Sequence, residues 1–141
     1  MKKHWLLCIF SFLSLGVFSQ NTVIASINNF ENSKGICRAC LFNSPDAFEK
    51  QNPLQCTLVT VANNQSKAEF TNIPDGTYAI FVFHDRNRNG MMDTNWLGIP
   101  KEGYGASKNK LPFAAAPKFE ANKFVVAHNS TFNLSIRLRN L

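Results

Sequence analysis

Asp85, Asn87, Asn89 and Asp93 are interleaved with other residues in the stretch HDRNRNGMMD, with Gly90 in their midst. Their side chains carry hard oxygen donors, and a tightly coiled loop can turn alternate positions toward one centre. The order Asp-x-Asn-x-Asn-Gly-x-x-Asp follows the first nine positions of a calcium loop. Calcium takes six to eight oxygens, some of them from backbone carbonyls. The glycine permits the sharp turn, and Met91 falls where a carbonyl ligand is expected. The expected metal set is therefore Asp85, Asn87, Asn89, Met91 and Asp93, with calcium as the ion.

The departures from that pattern carry information too. The twelfth position, where a helix-loop-helix hand places a bidentate Glu, is Trp96, and no helical pattern flanks the loop. Asp85 and Asp93 alone supply two formal charges, so Glu102, Asp75 or several waters would have to complete the shell. So few charges point to the weak, extracellular end of calcium affinity, about 10⁻⁴ to 10⁻³ M. The competing reading is an asparagine-rich turn held by side-chain to backbone hydrogen bonds, without metal.

Beyond the loop, TNWLGIPKEGYGASKN sets Gly98, Gly103 and Gly105 around Trp96 and Tyr104. Those two aromatics either fold inward as a small plug or stand outward as a ligand platform. Catalytic chemistry finds little support. His84 and Asp85 are neighbours in a strand-like run and so point to opposite faces, while His128 and Ser107 have no motif around them. Oxygen ligands of the calcium type also make a poor zinc hydrolase centre, which prefers His or Cys. A non-catalytic protein is expected, with a metal-assisted hydrolase the weakest alternative.

The elements that must position this loop read as strands. TVIASIN, GICRACLFN, QCTLVTVA, KAEF, GTYAIFVFH, FVVA and STFNLSIRLR form seven runs with period-two alternation or β-branched enrichment, separated by turn signals. GTYAIFVFH is apolar on both faces, which marks a central strand covered on both sides. Two short helical turns are predicted, at SPDAFEK with Pro45 at its first position and at PKFEAN. The fold class is all-β, an antiparallel β-sandwich of about seven strands. One long segment, from Asp85 to about Glu120, lacks any strong pattern and needs an organiser, which the cation loop could supply.

Lys2 and Lys3 precede an apolar run from Trp5 to Phe18, the form of a secretory signal over residues 1–19. The run is too short for a span of roughly 18 or more residues. The mature chain should begin near Gln20 or Asn21 as a single domain, with no later segment able to span a bilayer as a helix. The formal charge of +6 would fall by two on losing Lys2 and Lys3, to +4. The basic residues are scattered rather than striped, which argues against nucleic acid.

Export implies an oxidising compartment for Cys37, Cys40 and Cys56. Cys37 and Cys40 in one extended strand would lie about 10 Å apart, beyond the reach of a disulfide. If GICRACLFN and QCTLVTVA pair as a hairpin centred near Phe48, Cys40 falls opposite Cys56, and that disulfide is expected with Cys37 left free.

FTNIPDGTYAIFVFHDRNRNGMMDTNWLGIPKEGYGASKN resembles the signature of the bacterial secreted family catalogued as domain of unknown function 2141. The likeness lies in the GTYA strand, the HDxNxNGxxDxNxxGxPxEGYG loop and the Pro/Phe segment that follows. It implies an exported protein with an immunoglobulin-like or transthyretin-like sandwich, and it supplies no catalytic assignment. The functional expectation is a secreted or periplasmic cell-envelope module that binds an envelope polymer or protein. A purely structural, calcium-stabilised domain is the alternative.

Overall fold

The computed structural model describes residues 20–141, so the expected export signal lies outside the described residues. Eight strands and two short helices follow in order: β1 Asn21–Asn28, β2 Ile36–Phe42, α1 Pro45–Glu49, β3 Gln55–Thr60, β4 Gln65–Ile73, β5 Gly76–Asp85, β6 Tyr104–Ala106, α2 Phe119–Asn122, β7 Phe124–Val126 and β8 Thr131–Arg137. They form two sheets. One has the order β4-β1-β8, the other β3-β2-β5-β6, with β7 joined to β5. The architecture is all-β and sandwich-like.

Two features depart from expectation. β6 lies inside the segment read as patternless, and its three residues pair Phe81 with Ala106, Val82 with Gly105 and Phe83 with Tyr104. The sheets are also not wholly antiparallel, because β1 and β8 run parallel, Thr22 opposite Thr131 through Asn28 opposite Arg137. A parallel pair needs a long crossover, which the whole intervening chain provides.

Alternation decides which side chains enter the core. Val23, Ala25 and Ile27 of β1 are buried, as are Ile136 of β8 and Leu138 just beyond it, while Phe132 and Leu134 are only partly covered. From the opposite sheet Cys37, Ala39, Leu41, Ile80 and Val82 meet them. Each fully buried large apolar side chain contributes roughly 1.5–3 kcal/mol.

β5 presents its other face outward, where Ala79 and Phe81 pack with Cys40, Phe42, Phe48 and Phe119 in a second cluster. Its neighbours β2 and β6 flank it in the sheet. That is why both faces of β5 are apolar. α1 covers part of this outer face. Ser44 caps it by accepting the Ala47 N–H at 3.1 Å, and Phe48 points down onto Phe42, ring centroids 5.0 Å apart.

Cys40 and Cys56 face each other across β2 and β3 and are joined, S–S 2.01 Å and Cα–Cα 4.1 Å. Cys37 points into the core as a free thiol, and burial pushes it up to about 12.

Candidate functional site

β5 delivers Asp85 to the start of the long segment, and Asp85 is fully buried there. A buried carboxylate needs donors in place of water. The backbone provides them: the N–H groups of Asn89 and Gly90 donate to its two oxygens at 3.0 and 2.9 Å. Forming both bonds coils residues 85–90 tightly, and Gly90 takes a left-handed φ of +80° to close the turn.

The alternate side chains then converge. Asn87 and Asn89 donate their amides to the two oxygens of Asp93 at 2.6 and 2.7 Å. The Asn87 amide oxygen accepts the Asn89 N–H, and the Asn89 oxygen accepts the Met91 N–H. Asp85, Asn87, Asn89 and Asp93 are thus drawn into one connected loop network, as their spacing requires. The Met91 side chain stands in solvent.

Glu102 closes the base of the loop. It is almost fully buried, and its oxygens accept the N–H of Arg86 at 2.9 Å and of Asp93 at 3.1 Å. One side chain therefore ties the beginning of the loop to its end. Asp75, the other carboxylate considered for the shell, is not available to it. It precedes β5 and accepts from the Asn21 amide at 2.8 Å. The ten-residue strand separates it from Asp85 by about 30 Å at the usual rise per residue.

As arranged, each of the three carboxylates is engaged by N–H donors. Among the described residues no three His, Cys, Asp or Glu side chains form a group able to hold a metal. A calcium set here would draw instead on Asp85, Asp93, the amide oxygens of Asn87 and Asn89 and the Met91 carbonyl. The Asn87 and Asn89 amides would have to turn their oxygens toward the ion.

The two candidate platform aromatics part company. Trp96 is 90% exposed at the loop tip, in a turn where Asn95 Oδ1 accepts the N–H groups of Leu97 and Ile99. Tyr104 lies in β6, buried, opposite Phe83 and 6.3 Å from the Phe81 ring centroid.

His84 is fully buried, with Nε2 at 2.6 Å from the Lys34 carbonyl and its ring edge-on to Phe30. Its contacts are separate from those of the Asp85 carboxylate, so the two make no dyad.

The second half of the segment is held by residues to which no sequence motif points. Asn122, fully buried, accepts the N–H groups of Lys108 and Lys110 and donates to the carbonyls of Lys110 and Lys118. Ser107 donates to the Asn122 carbonyl at 2.6 Å and accepts the Ile80 N–H at 3.0 Å. Arg139 donates to the carbonyls of Leu111 and Pro112. Apart from β6, which joins the sheet itself, the segment from Arg86 to Lys118 is therefore held as an ordered cover, with Gly90–Met92 and Ala115–Lys118 set against the outer face of the five-stranded sheet.

A sandwich-like all-β domain with a coiled Asp/Asn loop at the end of its central strand is the class defined by these features. A family model described as "Uncharacterized protein conserved in bacteria" (DUF2141) matches residues 25–133, from β1 into β8. The chain belongs to this bacterial family. No curated protein and no solved structure matches it.

Proposed function

We propose that the protein is an exported, non-catalytic binding module of the bacterial cell envelope, with the ordered 86–118 cover as its contact surface and the 85–93 loop as a calcium site. The observation that carries this reading is the contrast within the cover. Its base is locked by buried carboxylates, while Trp96, Leu97, Ile99 and Phe113 stand exposed on it. Ordered loops on a rigid scaffold commonly carry recognition, and clustered exposed apolar groups mark interaction sites.

Calcium is supported by the convergence of Asp85, Asn87, Asn89 and Asp93 within one coil. Of the two sandwich types the resemblance implies, the strand order favours the transthyretin-like one. Immunoglobulin sandwiches pair their first strand with their second, whereas here β1 pairs with β4 and β8.

The second reading, a purely structural domain, is favoured by the burial of Tyr104. Trp96 emission separates the two. A contact surface predicts that titration with envelope glycans or envelope proteins shifts this emission in the exported protein. No response to any envelope fraction, alongside a calcium-dependent melting temperature, would leave the structural reading.

A further inference from the structure

Beneath the cover runs an apolar trough. One compartment, of about 1090 Å³, is bounded by α1, by Gly90–Met92 of the coiled loop and by the 115–120 segment. A second, of about 670 Å³, lies under Leu97–Pro100 and Phe113. The two share Phe81, Met92, Ala115, Ala116 and Pro117, so they adjoin along one channel. Its floor is the outer face of the five-stranded sheet. Across that face Arg38 pairs with Phe83, which pairs with Tyr104, and in the next row Cys56, Cys40, Phe81 and Ala106 follow. Pockets for small molecules commonly measure about 300–1,000 Å³.

One charge sits on this apolar floor. Arg38 is half-buried on β2, and its Nε is buried without a hydrogen-bond partner. Among the described residues it forms no ion pair. The other charged groups bounding the compartment are Glu49, Lys118 and Glu120, all exposed, and Glu120 is paired with Lys123. The guanidinium has room because Gly90 has no side chain: a Cβ there would stand 3.3 Å from Arg38 Nη2.

We infer that the trough binds a single-chain amphiphile with an anionic head, a long-chain carboxylate, whose head is held by Arg38 and whose chain lies over Phe81 toward Tyr104. This deepens the binding-module reading and rests on it, but not on the calcium site. The charge complement is specific, because a guanidinium presents a planar fork that matches a carboxylate with two parallel hydrogen bonds. A sugar would need many polar partners, and the aromatic and methionine lining offers few. The flexible thioether of Met92, which lines both compartments, can adapt to an aliphatic chain.

The test is a titration of the exported, delipidated protein with palmitate and with methyl palmitate, both below their aggregation thresholds. Palmitate should bind at least about tenfold more tightly than the ester, as the loss of a charge-assisted pair requires. Arg38→Gln should bring palmitate down to the ester's affinity and leave the ester unchanged, and Lys118→Gln should have a smaller effect. Equal affinities for acid and ester on the wild-type protein would overturn the inference, as would no binding of either; this comparison needs no variant to fold. If palmitate fails to bind while calcium still raises the melting temperature, the trough assignment falls and the calcium site stands. Palmitate binding without a calcium effect gives the reverse.

Discussion

Glu102→Ala probes how the loop is built. The variant removes the one acceptor shared by the Arg86 and Asp93 N–H groups, at 2.9 and 3.1 Å, from an almost fully buried position. A hydrogen bond to a charged group is worth about 1.5–3 kcal/mol, and a buried donor left unpaired costs about 1–3 kcal/mol. Water can enter from the exposed side of Asn87 and Asn89 and recover part of this, so a loss of about 3 kcal/mol is expected for the two bonds together. For a domain of roughly 120 residues that lowers the melting temperature by about 10–15 °C.

Glu102→Gln keeps one acceptor oxygen and turns an amide donor toward the other N–H, so about half or more of the loss should remain. The assay is thermal unfolding by circular dichroism, with amide exchange at Arg86 and Asp93 followed in parallel. If Glu102→Ala melts within about 2 °C of wild type and both amides keep their protection, the clasp reasoning is wrong.

Three further outcomes are expected. Replacing both Cys40 and Cys56 by Ser opens a loop spanning a sequence separation of 16 and should cost about 3 kcal/mol in the chain-entropy account, read as a lower denaturant midpoint. Cys37 is pushed up to about 12 by burial from an ordinary value of 9.0. The unfolded chain therefore releases this proton first, and stability should fall by up to about 1.4 kcal/mol per pH unit between pH 9 and 12. That fall should shrink in Cys37→Ala when unfolding is measured across this range. Asn122→Ala, which strands the N–H groups of Lys108 and Lys110, should destabilise by about 2–4 kcal/mol and raise protease sensitivity between Lys108 and Lys118.

Much of the scaffold was legible because period-two alternation reports burial directly. The alternation in TVIASIN places Val23, Ala25 and Ile27 in the core, and the two-faced run GTYAIFVFH becomes the covered central strand. Counting outward from Phe48 reproduces the Cys40–Cys56 register, since a hairpin's register follows from its centre.

β6 was not legible, because three residues with a glycine at their centre hold too little periodicity to read. Nor was the parallel pairing of β1 with β8, since alternation tells which face a residue takes but not which strand lies beside it. In the site, the converging Asp and Asn residues were readable from spacing alone. The clasp was not readable: Glu102 stood beside Asp75 only as a carboxylate to complete a cation shell, and its bonds to the Arg86 and Asp93 N–H groups depend on how the loop closes. Asn122 and Arg38 carried no signal, because their roles depend on segments far apart in the chain.

The most direct test is the melting temperature of the purified protein in millimolar calcium and in excess chelator, with magnesium as control. At tenfold excess over its Kd, calcium should add about 1.4 kcal/mol, raising the melting temperature by about 4–7 °C. Asp85→Ala should abolish the shift and Asp93→Ala should weaken it. Lys101→Ala, whose side chain lies outside the set, should leave it intact. Equal melting temperatures in calcium and in chelator would contradict the account and make the 85–93 coil an asparagine turn without a metal.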